Sequence, residues 1–192
     1  SFSLVSCGEI NSDVHLTQSF PYTVTDSKGN NIEFSKAPQR IVAYDAGAVE
    51  TLFAIGEGQR IIATHSFVTY PPEVEQIPKV GDAFNLNIEK VIDLKPDLVY
   101  VFSETFIPQL THAGLKVLYI KTVDHNFRST TDMIEMWGQI TGNIESANQL
   151  VESFNEKIST IESKLEVIDS KSQLDILQDV GQFWVPGTNT LM

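Results

Sequence analysis

Few residues of this 192-residue chain have the types and spacing for catalysis. Asp45, His65 and Ser66 can be assembled on paper into a hydrolytic triad, but nothing in their spacing requires it. There is no Gly-x-Ser-x-Gly elbow, phosphate-binding glycine loop or metalloprotease helix motif. As a metal ligand His65 stands alone, without a partner at chelating spacing, and a core histidine satisfied by backbone is the plainer alternative. His15, His112 and His125 are weaker candidates. Binding surface is better represented. Phe67, Tyr70 and Phe84 are aromatic, and Asp45, Asn85, Ser103 and Glu104 add a few polar groups, the mixture a small-molecule site needs. Each has a structural alternative: Asp45 and the Ser103-Glu104 pair as helix caps, the aromatics as cover for a sheet edge. Trp137, Met133 and Met136 sit at helical spacing and read as core.

An alternating pattern would position these residues. Tyr22 to Thr25 and Asn31 to Phe34 flank Asp26-Ser27-Lys28-Gly29-Asn30, a hairpin with a glycine-containing turn. Four short apolar runs follow: Ile41 to Tyr44, Ile61 to Thr64, Leu98 to Val101 and Val117 to Ile120. They read as buried strands. Between them lie helical patterns from Ala48 to Ile55, stopped by Gly56, from Ile88 to Leu94, stopped before Pro96, and from Phe106 to Ala113, stopped by Gly114. Such alternation predicts an α/β fold, a parallel-sheet lobe with helices on both faces. In open parallel sheets ligands sit outside the carboxyl ends of the strands. That rule selects Asp45 to Gly47, His65 to Tyr70, Ser103 to Thr105 and Val123 to Asn126, with Gly81 to Leu86 opening on the same edge.

A second helix is expected from about Thr131 to Thr141, and a long one from Asn143 to Ile168. In the long one Ala147, Leu150, Val151, Phe154, Ile158, Ile161, Leu165 and Ile168 recur at steps of three and four. Asn143 is its expected N-cap, and Glu145 places negative charge in the first turn. Its length would be roughly 35 to 40 Å, about the width of a small domain. After it Leu174 to Leu177 reads as a new strand and Val185-Pro186-Gly187 as a loop, the start of a second lobe.

Hydrophobic residues make up 42% of the chain, a globular composition. Thirteen basic against 25 acidic residues give a formal charge of −12, which argues against phosphate backbones and anionic lipid as partners. The single cysteine, Cys7, rules out an intrachain disulfide. Leu4-Val5-Ser6-Cys7 resembles the lipobox of bacterial lipoproteins, in which the cysteine becomes the lipidated N-terminus. That resemblance makes residues 1–21 a signal remnant, lipobox and tether, with contact to the membrane through the lipid anchor alone.

Several motifs occur in a characteristic order: Pro38-Gln39-Arg40-Ile41-Val42, Glu50 to Gly56, Tyr70-Pro71-Pro72, Lys79-Val80-Gly81, and Asn87 to Val99 with its Glu-Lys-x-x-x-Leu-Lys-Pro-Asp-Leu-Val core. The series, over about Tyr22 to Ile168, resembles the substrate-binding proteins of ABC importers for ferric siderophores, haem and cobalamin. The resemblance implies two α/β lobes joined by one long helix, with the solute held between them and no chemistry performed. It divides the chain into a ligand-binding lobe at 22–142, a connecting helix at 143–168 and the start of a truncated second lobe at 169–192, with on the order of 100 further residues needed to complete a domain. Asp45, His65, Phe67, Tyr70, Phe84, Asn85, Ser103 and Glu104 would form the first-lobe wall of the cleft. Glu89 falls where the family carries an acid that docks on an arginine pocket of the permease; its plainer alternative is a helix-favouring glutamate after Asn87. No cofactor is implied. The transported ligand would be an iron chelate, haem or cobalamin, with His65 a candidate axial ligand and no other metal ligand assigned. The selected loops contain no basic residue, which leans against anionic siderophores. Location would be extracytoplasmic, at the cell membrane. The rivals are a small α/β hydrolase-like or metal-dependent enzyme using His65 and Asp45, and a cell-surface interaction module.

Overall fold

The computed structural model describes residues 19–121, 127–165, 178–179 and 183–184. Strands β1 (Tyr22–Thr25) and β2 (Asn31–Phe34) form the expected antiparallel hairpin. Its turn is shaped by Asp26, whose carboxylate accepts the backbone N–H groups of Lys28 and Asn30, each at 2.8 Å, and the Asn30 amide at 3.0 Å. An aspartate bonding forward to its own backbone is a turn-former in its own right.

Strands β3 (Ile41–Tyr44), β4 (Ile61–Ala63), β5 (Leu98–Val101) and β6 (Val117–Tyr119) pair in the order β4-β3-β5-β6, all parallel. Ile41 lies opposite Leu98 and Tyr44 opposite Val101. Helices α1 (Ala46–Ala54), α2 (Ile88–Asp93) and α3 (Ile107–His112) make the crossovers. Successive strand side chains point to opposite faces, and both faces are covered. Ile41, Ala43, Leu98 and Tyr100 pack against α1 and the hairpin, together with α4 (Phe127–Thr141) and the start of α5 (Ile144–Leu165). Val42, Tyr44, Val99 and Val101 pack against α2 and α3. Such coverage explains runs of β-branched residues rather than alternation, and each fully buried aliphatic chain contributes about 1.5–3 kcal/mol.

Two of the sequence motifs meet at the edge of this sheet opposite its ligand side. Asp97 accepts the backbone N–H groups of Gln39 at 2.7 Å and Arg40 at 2.9 Å, which ties the start of β5 to the start of β3. Arg40 in turn donates to the carbonyls of Leu94 and Lys95 at the end of α2. Pro38-Gln39-Arg40 and Lys95-Pro96-Asp97 are therefore one structural clasp, joined across 57 positions of sequence.

Differences from expectation lie at element ends. Helix α4 begins at Phe127, four residues before Thr131, and β4 and β6 each end one residue early. Asn143 does precede α5, and its carbonyl accepts the Ala147 N–H at 3.2 Å, the backbone role of an N-cap. Its side-chain amide, however, reaches across to the Ile55 carbonyl at 2.8 Å and to Glu57 Oε1 at 3.1 Å, anchoring α5 on the end of α1. Along α5, Ala147 is buried, Leu150 and Val151 are partly covered, and Ile161 is 52% exposed. The short strands β7 (Gln178–Asp179) and β8 (Phe183–Trp184) pair antiparallel. Cys7, His15, Val123 to Asn126, the expected strand at Leu174 to Leu177, the loop at Val185 to Gly187 and the helix end at Ile168 lie outside the described residues.

Candidate functional site

Strand order locates the crevice. From β3 the chain passes through α1 to β4 on one side; from β5 it passes through α3 to β6 on the other. Their carboxyl ends are neighbours, so the segments leaving them diverge, and this switch point is where ligands bind in open parallel sheets. Asp45 leaves β3 here and Ser103 leaves β5. The edge from β4 to β6 spans three strand intervals, roughly 14 Å.

Over the β4 and β3 ends stands an aromatic rim. Phe67 is 61%, Tyr70 63% and Phe84 79% exposed, an unusual presentation for large apolar groups, and the backbone N–H groups of Phe67 and Phe84 are bonded to His65 and Asp82. The loop after β4 is anchored by buried Val68, and Lys79 donates to the carbonyls of Val68 and Val74, each at 3.1 Å. Loop 81–86 is zipped to its neighbour by the Ser66 N–H on the Gly81 carbonyl at 2.9 Å. Asp82 accepts the N–H groups of Phe84 and Asn85, each at 2.8 Å, and the Asn85 amide; these bonds hold its carboxyl below the usual carboxylate range. Beneath, the Tyr44 hydroxyl donates to the carbonyls of Asp82 and Asn85. Burial, with the Asp82 charge added, pushes that phenol up to about 12. Gly81, at φ +141°, passes so close that a Cβ would overlap the Asn85 carbonyl oxygen.

His65 lies under this rim, 6% exposed. Its Nδ1 accepts the Phe67 backbone N–H at 3.3 Å, and its ring meets Tyr44 edge-on at 5.3 Å, with Phe67 and Phe102 each at 6.3 Å. Burial lowers its pKa, so the imidazole is neutral at pH 7. With Nδ1 accepting, the proton of this tautomer sits on Nε2. The arrangement opposes the triad, because the nitrogen that would face a carboxylate faces an amide N–H instead.

The polar candidates divide between framing and surface. Asp45 Oδ1 accepts the Ala48 N–H at 2.8 Å and so caps α1, as its plainer alternative required. Asp45 also borders a cleft of about 470 Å³ with Glu50, Ile120, Lys121 and Met133. Burial, with Asp45 nearby, raises the Glu50 pKa. Asn85 frames the Asp82 loop. Ser103 Oγ bonds Thr105 Oγ1 at 3.1 Å and accepts its N–H, closing the turn before α3. Glu89 is exposed in the first turn of α2, whose N-terminus follows loop 81–86 and lies at the same sheet edge.

Glu104 has a partner the sequence did not suggest. Lys28, from the hairpin turn, binds its carboxylate at 2.7 Å, raising the lysine pKa and lowering the glutamate's. The turn reaches this edge because the Ser27 N–H bonds the Tyr119 carbonyl at 2.9 Å and Ser27 Oγ accepts the Lys121 N–H at 2.8 Å. Lys28 and Lys121 therefore stand at the ligand-side edge, outside the loops that the sequence selected. Tyr44 was also missed as the rim's support; a tyrosine closing a strand that leads into the switch point was its only signal.

A family model described as periplasmic binding protein matches residues 41–192. An "Uncharacterized ABC transporter substrate-binding lipoprotein YvrC" of Bacillus subtilis is 36% identical over 141 residues, covering 70% of this chain and 44% of the relative. A "Vitamin B12-binding protein" of Pectobacterium carotovorum is 31% identical over 93 residues, covering 45% of this chain and 34% of the relative. The chain thus spans less than half the length of these curated relatives. Among solved structures, an ABC-type Fe3+-hydroxamate transport protein from Saccharomonospora viridis superposes with a TM-score of 0.65 at 23% identity, over 77% of this chain and 58% of that one.

Proposed function

The chain belongs to the periplasmic binding protein family, and from that premise we propose that it is the solute-capturing lobe of an ABC importer for a flat or macrocyclic metal chelate. The observation that carries this reading is the aromatic rim: three aromatic side chains, each more than half exposed, on the loops at the carboxyl edge of a parallel sheet. A soluble domain has no packing reason to present Phe67, Tyr70 and Phe84 together to water. A cobalamin or haem face, or the apolar body of an iron chelate, would cover them. The B12-binding relative supports the same solute class, and the Fe3+-hydroxamate transport protein shares the fold.

The role is capture and delivery rather than turnover. Residues 22–142 form the first-lobe wall, 143–168 the connecting helix, and 169–192 open a second lobe. Glu89 faces the permease. Location is extracytoplasmic, with Cys7 as the lipid attachment point within the tether of residues 1–21. Lys28 and Lys121 would meet a carboxylate at the far end of a solute that spans the roughly 14 Å edge.

The test is a titration of the protein expressed from its complete reading frame with cyanocobalamin, haemin and a ferric hydroxamate, followed by tryptophan fluorescence and visible absorption. Saturable binding of one of them is expected. A folded protein that binds none would overturn the solute assignment.

A further inference from the structure

We propose that His65 is a positioning residue for the rim: its unprotonated imidazole holds Phe67 through the backbone N–H, and protonation releases Phe67, so that solute affinity falls on acidification. The inference rests on reading Phe67 as part of the solute wall.

The geometry is that of a side-chain-capped turn. The Val68 N–H bonds the His65 carbonyl at 3.2 Å, closing residues 65–68, and the Phe67 N–H inside that turn is bonded by His65 Nδ1. Asparagine and aspartate commonly fill this role, accepting from the N–H two residues ahead. A histidine fills it only as long as Nδ1 keeps its lone pair. In the imidazolium both nitrogens are donors, so Nδ1–H would confront the Phe67 N–H across the distance that now holds a hydrogen bond.

The surroundings favour the neutral ring. His65 is enclosed by Tyr44, Phe67 and Phe102. The charged groups facing it are Asp45 from the end of β3 and Lys79 and Asp82 from the loop beside it; the β5 side presents Phe102. Asp45 and Asp82 attract a proton, Lys79 repels one, and burial, the largest influence, disfavours the charged form. The sign follows. A histidine whose folded pKa lies below its unfolded value contributes stability that is present above about pH 6.5 and lost as pH falls through the folded pKa. Ser66 and Val68 on either side are bonded to the Gly81 and His65 carbonyls, so within that frame the His65 bond is what orients the Phe67 peptide and its mostly exposed ring.

The experiment follows the Phe67 amide and the His65 imidazole by NMR across about pH 5 to 8, with the same protein titrated by cyanocobalamin, which has no titrating group in that range. Expected are one shared midpoint below about 6.5 and an affinity that falls on the order of tenfold across it. His65→Asn, whose Oδ1 can accept the same N–H, should keep the amide bonded and make affinity independent of pH. His65→Leu should leave the amide unbonded at every pH. An amide that ignores the imidazole titration, a His65→Asn protein that keeps the pH response, or a moving amide with unchanged affinity would each overturn the proposal. Failure of cyanocobalamin to bind at any pH would instead count against the solute reading, and the amide titration would still decide whether His65 positions Phe67.

Discussion

Gly81→Ala gives the sharpest test of how the rim is built. At φ +141° an L side chain is strained, and a Cβ there would overlap the Asn85 carbonyl oxygen and stand 2.6 Å from the Tyr44 hydroxyl, where real Cβ contacts stay beyond 3.0 Å. The backbone strain alone costs about 1–3 kcal/mol. Relief of the overlap requires loop 81–86 to move off Tyr44, which forfeits the one hydroxyl hydrogen bond shared between the Asp82 and Asn85 carbonyls, at about 1 kcal/mol. The expected loss is therefore about 2–4 kcal/mol by those two contributions. Gly56 provides the control: it also has a positive φ, +80°, but nothing lies within 4 Å of its added Cβ, so Gly56→Ala should cost only about 1–2 kcal/mol. Urea unfolding, with equal slopes for the variants, measures both. A Gly81→Ala loss within about 0.5 kcal/mol of Gly56→Ala would refute the claim that Tyr44 and Gly81 lock the loop.

Other substitutions separate binding from folding. Phe84→Ala should leave stability within about 0.5 kcal/mol, because the ring is 79% exposed, yet lower cyanocobalamin affinity on the order of tenfold; unfolding and fluorescence titration check the two halves. Tyr100→Phe should be neutral or stabilising by about 1 kcal/mol, since the hydroxyl is buried without a hydrogen-bond partner among the described residues and its ring, 5.1 Å from Trp137, would remain; a thermal melt shows the sign. Glu89→Lys should reduce uptake in cells while solute affinity in solution stays unchanged; a loss of affinity would place Glu89 in the pocket.

Much of the lobe was legible before its structure. Strands such as Leu98–Val101 announce themselves because a segment covered on both faces must be apolar throughout, and α1 begins at Asp45 because an aspartate there can take the Ala48 N–H. These are short-range effects, written within a few residues of where they act. The three rim aromatics were readable as a group only through the rule that parallel sheets bind at their carboxyl ends.

What lay beyond reach depended on which strands became neighbours. Lys28 seemed remote from the ligand edge until the hairpin turn docked on β6 and met Glu104, 76 residues away. Arg40 and Asp97 read as family motifs; only the packed sheet shows them to be a clasp between β3, β5 and α2. The sequence by itself determined the helices, the strands and the kind of sheet they make, because burial and capping act locally. Partnerships between polar side chains were decided by the tertiary structure, because a hydrogen bond needs atoms within about 3 Å, and only the completed strand order brings such residues that close.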